Sequence, residues 1–156
     1  MKKLMKMIMG AAPSARALIS LLAVAMPFGI SGTVLAGGES QVCGPQTLLG
    51  SYVFTARGFN IVSGVAQPKA IVEGIDFNGD GNLSVPFATV SINGVIIVTP
   101  PGGVGTYTVE TTCQGTLTFT NGPTYNVFVS PNGKQVSMIQ TTANTVFQGT
   151  ATRVSR

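Results

Sequence analysis

Residues 105–120 read Gly-Thr-Tyr-Thr-Val-Glu-Thr-Thr-Cys-Gln-Gly-Thr-Leu-Thr-Phe-Thr, and they predict two β-strands joined at a bend that carries Cys113. Before the bend, Tyr107 alternates with threonines, and after it Leu117 and Phe119 do the same. A period of two in aromatic and β-branched residues is typical of strands with one buried face. The stretch therefore predicts a central hairpin around which the other strands are arranged.

The same alternation recurs on both sides of this hairpin, between pairs such as Asn-Gly and Asp-Gly that favour tight turns. Pro86 lies inside one of the alternating segments, where it predicts an edge position or a bulge. Glycines favour a loop or a bulged connection over residues 58–67. Besides the central hairpin, the predicted strands cover residues 51–57, 68–77, 82–92, 95–99, 124–130, 134–141 and 145–153.

These segments predict an all-β domain, an antiparallel meander of about eight or nine strands joined by short connections. A meander can leave two exposed edges or close on itself, and closure removes the edges. We therefore expect a closed barrel, with a β-sandwich as the alternative. A barrel of about eight strands has an interior that is either filled by side chains or able to hold one small ligand.

The first 36 residues have the features of a secretory signal peptide. Lys2, Lys3, Lys6 and Arg16 precede an apolar run, and Val-Leu-Ala at residues 34–36 fits a cleavage site. A retained membrane anchor is the alternative, because the run is nearly long enough to span a bilayer. We expect a signal peptide over 1–36, a polar leader over 37–47 and one barrel domain over 48–156, exported to the periplasm or the extracellular space.

Removal of the signal peptide changes the charge of the chain. The formal net charge is +4, but four of the nine basic residues lie in the predicted signal peptide, and the remaining five balance five acids. No cluster of Lys or Arg remains to neutralise phosphates, so we expect no nucleic-acid partner. We also expect no stable membrane span once the apolar signal peptide has been removed.

Cys43 and Cys113 are the two cysteines of the chain. Export delivers them to an oxidising compartment, where such a pair usually forms a disulfide. The alternative is a redox or metal-binding pair. Redox cysteines normally have C-x-x-C spacing, and a zinc site needs more ligands than a chain without histidine supplies.

The absence of histidine also excludes a Ser-His-Asp triad and histidine-based metal sites. Residues 76–82, Asp-Phe-Asn-Gly-Asp-Gly-Asn, match the start of an EF-hand loop, but Phe87 stands where a bidentate Glu is required. The same residues suit a hairpin turn, which is the interpretation we favour. We expect no metal and no cofactor.

An acid/base pair could still form from Glu73 or Glu110 with Arg57 or Tyr107, if these side chains meet inside a barrel. Glu73 shares a strand face with apolar residues, which would raise its pKa if that face is buried. The interpretation that we favour is instead a solvated Glu73 at a rim, or one paired with Arg57. Should the barrel keep an open mouth, the candidate ligand-lining residues, which otherwise pack in the core, are Tyr52, Phe54, Glu73, Tyr107, Phe119 and Tyr125.

Several motifs resemble those of small exported bacterial proteins of unknown function that look like calycin-type barrels of the allene oxide cyclase kind. The resemblance spans about residues 50–153 and implies a fold, while no catalytic residue of a cyclase can be matched. The motifs are Gly50-Ser-Tyr-Val-Phe, Gly74-Ile-Asp-Phe-Asn-Gly-Asp-Gly, Gly105-Thr-Tyr-Thr-Val with Cys113-Gln-Gly-Thr, and Val146-Phe-Gln-Gly-Thr-Ala.

We expect an exported binding or interaction module, and a small hydrophobic molecule is the ligand class that such a barrel could hold. A structural or surface-assembly protein is the first alternative, because the strands are rich in Thr and Gly and nearly neutral. A cofactor-free cyclase or isomerase using Glu73 or Glu110 is the second.

Overall fold

The computed structural model describes residues 42–156, and the predicted signal peptide and the first part of the polar leader lie outside these residues. The described part contains one short 3-10 turn, Pro45–Thr47, followed by ten strands. The strands are β1 Leu49–Val62, β2 Val65–Asn78, β3 Asn82–Val85, β4 Ala88–Ile92, β5 Val95–Thr99, β6 Gly103–Val109, β7 Gln114–Phe119, β8 Thr124–Val129, β9 Gln135–Gln140 and β10 Thr145–Ser155.

Eight of these strands form a closed antiparallel barrel. The order around the barrel is β1-β10-β9-β8-β7-β6-β3-β2, and β2 pairs back with β1. The last strand therefore meets the first, over pairs from Ser51 with Ser155 to Asn60 with Thr145. The all-β class and the closed barrel are confirmed, and the alternative sandwich is wrong.

The alternating apolar side chains point into the barrel and form its core. On β1, Tyr52, Phe54 and Ala56 are buried while Thr55 and Arg57 are exposed. Edge-to-face contacts join the rings of neighbouring strands, with centroid distances such as 5.0 Å between Tyr52 and Phe77. The core also contains Leu48, Ile75, Leu83, Val85, Ala88, Tyr107, Val109, Leu117, Tyr125, Val127, Val129, Val136, Met138, Phe147 and Ala151.

The predicted loop over residues 58–67 is wrong. β1 continues to Val62 and β2 begins at Val65, so only Ser63 and Gly64 form the turn, both with positive φ. Gly58 lies within β1, at a position where only glycine fits because a Cβ would come 1.9 Å from the carbonyl oxygen of Val146. The glycine marks a close approach of β10 to β1, and not the end of a strand.

Pro86 divides the predicted strand 82–92 into β3 and β4, and this division changes the partner of β2. Near its C-terminal end, β2 pairs with β3 at Asp76 and Phe77, whereas the preceding residues 69–73 of β2 pair with β4. β4 does not continue around the barrel. It forms a hairpin with β5, and β5 is the last strand of the sheet.

The N-terminal segment closes the end of the barrel opposite the β1–β2 turn. The predicted disulfide between Cys43 and Cys113 is present, which confirms that prediction. The Tyr107 hydroxyl accepts a hydrogen bond from the Gly79 N–H at 3.0 Å and lies 3.0 Å from the carbonyl oxygens of Pro45 and Leu48. These contacts hold the start of the described chain against the β2–β3 turn.

Candidate functional site

Glu73 is a charged residue in the apolar interior, and its position follows from the alternation of β2. It lies between Ile71 and Ile75 on the inward face, with Phe54 of β1 opposite it on one side and Ala88 of β4 on the other. Only 7% of its surface is exposed. The carboxyl therefore sits where β2 exchanges β3 for β4 as its partner.

Burial determines the protonation of this carboxyl. Loss of solvent raises the pKa of Glu73 to about 7, although the positive charge of Lys69 acts in the opposite direction. Lys69 shares the inward face of β2, four residues away, and burial lowers its pKa while the charge of Glu73 raises it. Near neutral pH the site therefore contains a carboxyl close to its titration midpoint beside an ammonium group.

Two further groups contact Lys69 from β9 and β10, the strands that lie beyond β1. The Lys69 ammonium lies 3.4 Å from Oε1 of Gln140 on β9, which is itself buried. The same ammonium lies 4.3 Å from the centroid of the Phe147 ring on β10, a cation-π arrangement. These contacts direct the Lys69 side chain past β1 towards β9 and β10.

Tyr125 adds a phenol to this group. Burial and the nearby Glu73 charge both raise its pKa, so Tyr125 stays a neutral hydrogen-bonding group. Its ring packs edge-to-face on Phe54 and Phe119, with centroid distances of 5.9 and 6.1 Å. The site thus combines a carboxyl, an ammonium, an amide and a phenol with aromatic neighbours.

The β4–β5 hairpin extends the inward face of β2 beyond the barrel. Ile71 pairs with Val90, which pairs with Ile97, so the three side chains form a row on one face. Ile97 is 47% exposed. A surface of aliphatic side chains therefore leads from the hairpin towards Glu73.

The structure brings together four of the six candidate ligand-lining residues and separates two. Phe54, Glu73, Phe119 and Tyr125 lie around the group just described, whereas Tyr52 and Tyr107 lie at the closed end. The Tyr52 hydroxyl donates to the Gly133 carbonyl and accepts from Nε of Arg153 at 2.9 Å. The hydroxyls of both tyrosines are used in hydrogen bonds at the closed end, and their contact with a ligand stays a prediction.

Sequence reasoning missed Lys69, Gln140 and Phe147. Lys69 was detectable, because it is an even number of residues from Glu73 on the same strand and must share its face. Gln140 and Phe147 come from β9 and β10, and only the closure of the barrel brings them to Lys69.

Both forms of the favoured interpretation of Glu73 are wrong, because the side chain is buried and does not pair with Arg57. Arg57 is exposed, and its partner on β2 is Ala70, which lies on the outward face because it is three residues from Glu73. Glu110 is also exposed, at the end of β6. Neither Arg57 nor Glu110 can therefore belong to an acid/base pair inside the barrel.

Residues 76–82 form the predicted hairpin turn. Oδ1 of Asn78 accepts hydrogen bonds from the backbone N–H groups of Asp80 and Asn82, at 3.1 and 3.0 Å. Oδ1 of Asp80 is likewise bonded to Asn82. Over residues 42–156 no three acidic, Cys or His side chains are grouped so that they could hold a metal ion, and the same residues include no helix long and apolar enough to cross a membrane.

A broad depression lies on the outer face of the sheet. Its lining is mostly exposed and polar, and it includes Thr55, Thr116, Asn126, Ser137 and Gln148. It lacks the buried titratable groups of the β2–β4 junction. The junction is therefore the stronger candidate for a site.

The geometry defines a class of protein: an all-β, disulfide-linked, eight-stranded closed barrel with an additional hairpin beside a buried carboxyl. Comparison with family models, with curated proteins and with solved structures finds no significant match.

Proposed function

We propose that this protein is an exported, calycin-like binding module whose ligand is a small, largely apolar molecule with one polar group. The observation that carries the proposal is the buried carboxyl of Glu73 at the junction where an exposed aliphatic surface reaches the end of the barrel. The disulfide and the predicted signal peptide support export to the periplasm or beyond.

The side chains at the junction suggest how such a ligand is oriented. The aliphatic row of Ile71, Val90 and Ile97 suits a hydrocarbon chain or ring. Glu73, Lys69 and their neighbours offer both donors and acceptors to a hydroxyl or carboxyl group. The ligand's polar end therefore faces Glu73, and its apolar part extends along the hairpin.

The packing inside the barrel supports a site at the junction in preference to one deeper in the interior. Phe77 is in edge-to-face contact with both Tyr52 and Tyr107, at centroid distances of 5.0 and 4.9 Å. A ligand at the closed end would have to displace these rings and the hydrogen bonds of the two tyrosines.

Binding is tested by thermal unfolding with decanol, decanoic acid and decylamine as probes. A ligand that binds only the folded state raises the melting temperature, and the stabilisation grows with the logarithm of one plus the ratio of the free ligand concentration to Kd. We expect decanol and decanoic acid to raise it more than decylamine, because Lys69 disfavours a second ammonium group. The shift with decanoic acid should be larger at pH 6 than at pH 8, since protonation of Glu73 leaves the positive charge of Lys69 uncompensated.

Two neighbouring positions on β5 supply a matched pair of variants. Ile97 belongs to the aliphatic row, whereas the next residue, Val98, is 72% exposed on the other face. We expect Ile97→Asn to weaken probe binding by about tenfold or more, as loss of a buried aliphatic contact implies, and Val98→Asn to leave it unchanged. Equal effects of the two variants, or no shift with any probe, would contradict the proposal.

A second candidate function is a cofactor-free cyclase or isomerase in which Glu73 is the general acid or base. A pKa of about 7 favours it, because a catalytic group works best when its pKa is close to the operating pH. Glu73→Gln should then abolish turnover while retaining probe binding. Retained turnover of a substrate by this variant would exclude the catalytic role.

A structural or surface-assembly role is the remaining alternative, favoured by the side of β5 that has no partner strand within residues 42–156. It predicts open-ended assemblies, which electron microscopy of the purified protein detects.

A further inference from the structure

β5 is an exposed apolar edge strand, the kind of element that proteins normally protect. The exposed fractions of Val95, Ile96, Ile97 and Val98 run from 47% to 72%. Both faces of the strand are open, since Ile96 and Val98 alternate with the other two. The usual protections of an edge, an inserted Lys, Pro or bulge, are missing from Val95–Thr99.

The hydrogen bonds of β4 show which backbone groups of β5 are free. The N–H of Asn93 donates to the carbonyl of Pro68 at 2.8 Å, and the carbonyl of Phe87 accepts from Gly74 at 2.9 Å. The odd-numbered residues of 87–93 thus point their backbone N–H and C=O groups towards β2. Because successive residues point to opposite sides, the even-numbered residues of β4 point towards β5.

The pairing of β4 with β5 then assigns the free groups. Val90 pairs with Ile97 and Ile92 with Val95, so the backbone of the odd-numbered β5 residues is bonded to β4. The N–H and C=O groups of Ile96 and Val98 therefore point away from the sheet, and β5 has no other neighbour in the described part of the chain. Two residues thus present a complete set of strand-pairing groups.

We propose that this edge pairs with β5 of a second copy of the same chain, antiparallel and centred on Ile97. In this register Ile96 faces Val98 of the partner copy and Val98 faces Ile96, so both free residues form hydrogen-bonded pairs. Ile97 faces its own counterpart on the two-fold axis. The next pair would join Gly94 to Pro100, which has no N–H, so the ladder ends there.

The absence of charge near β5 permits pairing with a second copy of the chain. No charged residue lies between Asp80 and Glu110, so self-pairing brings no like charges together, the usual obstacle to an isologous contact. Each copy offers one such edge, and a two-fold contact uses it on both sides. The assembly is therefore a closed dimer and not a fibre.

The length of the contact sets its strength. A contact between two five-residue strands buries less surface than the roughly 800 Å² per partner of a standard interface. We therefore expect a weak dimer whose population rises with protein concentration. The inference concerns the edge of β5 and does not rest on ligand binding at Glu73.

Sedimentation equilibrium tests for the dimer. The sample is the full exported protein, measured over a wide range of protein concentration. Wild type should show a reversible monomer–dimer equilibrium. The double variant Ile96→Lys/Val98→Lys places lysine opposite lysine in both bonded pairs, and its dissociation constant should rise by at least about tenfold. The double variant Ile96→Glu/Val98→Lys places Glu opposite Lys in the same register and should still form the dimer.

Control variants on β10 remove similar apolar surface from another part of the molecule. Val146 and Val154 are each 63% exposed, so Val146→Lys/Val154→Lys should leave the equilibrium unchanged. Circular dichroism checks that every variant keeps its β structure. A wild type that is monomeric at all concentrations, particles larger than a dimer, or equal dissociation of the two β5 variants would each overturn the proposal.

Discussion

The Glu73→Gln substitution removes an ionisable group from the barrel interior while keeping the size and hydrogen-bonding capacity of the side chain. The pKa of Glu73 is about 7 in the folded protein, against 4.5 for a free glutamate. The folded state therefore binds this proton more tightly than the unfolded state does. Its contribution to stability is fully present below pH 4.5 and is lost as the pH rises through 7.

The magnitude follows from the two pKa values. Their difference corresponds to about 3 kcal/mol of stability over the full transition, of which about 2–3 kcal/mol is lost between pH 5 and pH 8. The chain has no histidine, so few other side chains titrate in this window. We expect the free energy of unfolding of the wild type to fall by this amount, while that of Glu73→Gln stays nearly constant.

Urea unfolding at pH 5 and pH 8 measures both proteins, and Glu110→Gln is the control because Glu110 is exposed. The control should keep the pH dependence of the wild type. At pH 8, Glu73→Gln should be the more stable protein by about 2–3 kcal/mol. A wild type with the same stability at both pH values, or a Gln variant with the wild-type slope, would refute the assignment of a raised pKa to this carboxyl.

Three further changes test the fold. Replacing Cys43 and Cys113 with Ala should lower the free energy of unfolding by about 4 kcal/mol, because the disulfide spans 70 residues of chain; a change below about 1 kcal/mol in urea unfolding would contradict this. Tyr107→Phe leaves the N–H of Gly79 without its partner and should cost about 1–3 kcal/mol, whereas an unchanged urea midpoint would show that the hydroxyl is dispensable. Phe54→Ala should cost about 3–5 kcal/mol, because the side chain is fully buried, and calorimetry that finds less than about 1 kcal/mol would indicate a collapsible site.

The direction of each side chain was predictable from local alternation. Tyr52 and Phe54 were assigned to one face of their strand and are both inside the barrel. Glu73 was assigned to the same face as Ile71 and Ile75, and it is buried like Ile75, while Ile71 is partly buried. These predictions hold because a strand places successive side chains on opposite faces wherever it lies in the fold.

The connections were less predictable where two strands approach closely. Gly58 suggested a loop, although the space it leaves is occupied by the backbone of β10. The sequence alone does not distinguish a glycine in a turn from a glycine in a crowded strand. The difference lies in a neighbouring strand that is distant in sequence.

The sequence by itself determined the all-β class, the hairpin turns and the face of each strand, because these depend on residues that are neighbours along the chain. It also determined the disulfide, because the chain has only two cysteines. Tertiary structure alone decided that β2 exchanges β3 for β4, that β5 is left with a free edge, and that Gln140 and Phe147 reach Lys69. The contacts of Lys69 with Gln140 and Phe147 join residues 71 and 78 positions apart in the chain. They depend on the register in which the barrel closes, which no local pattern specifies.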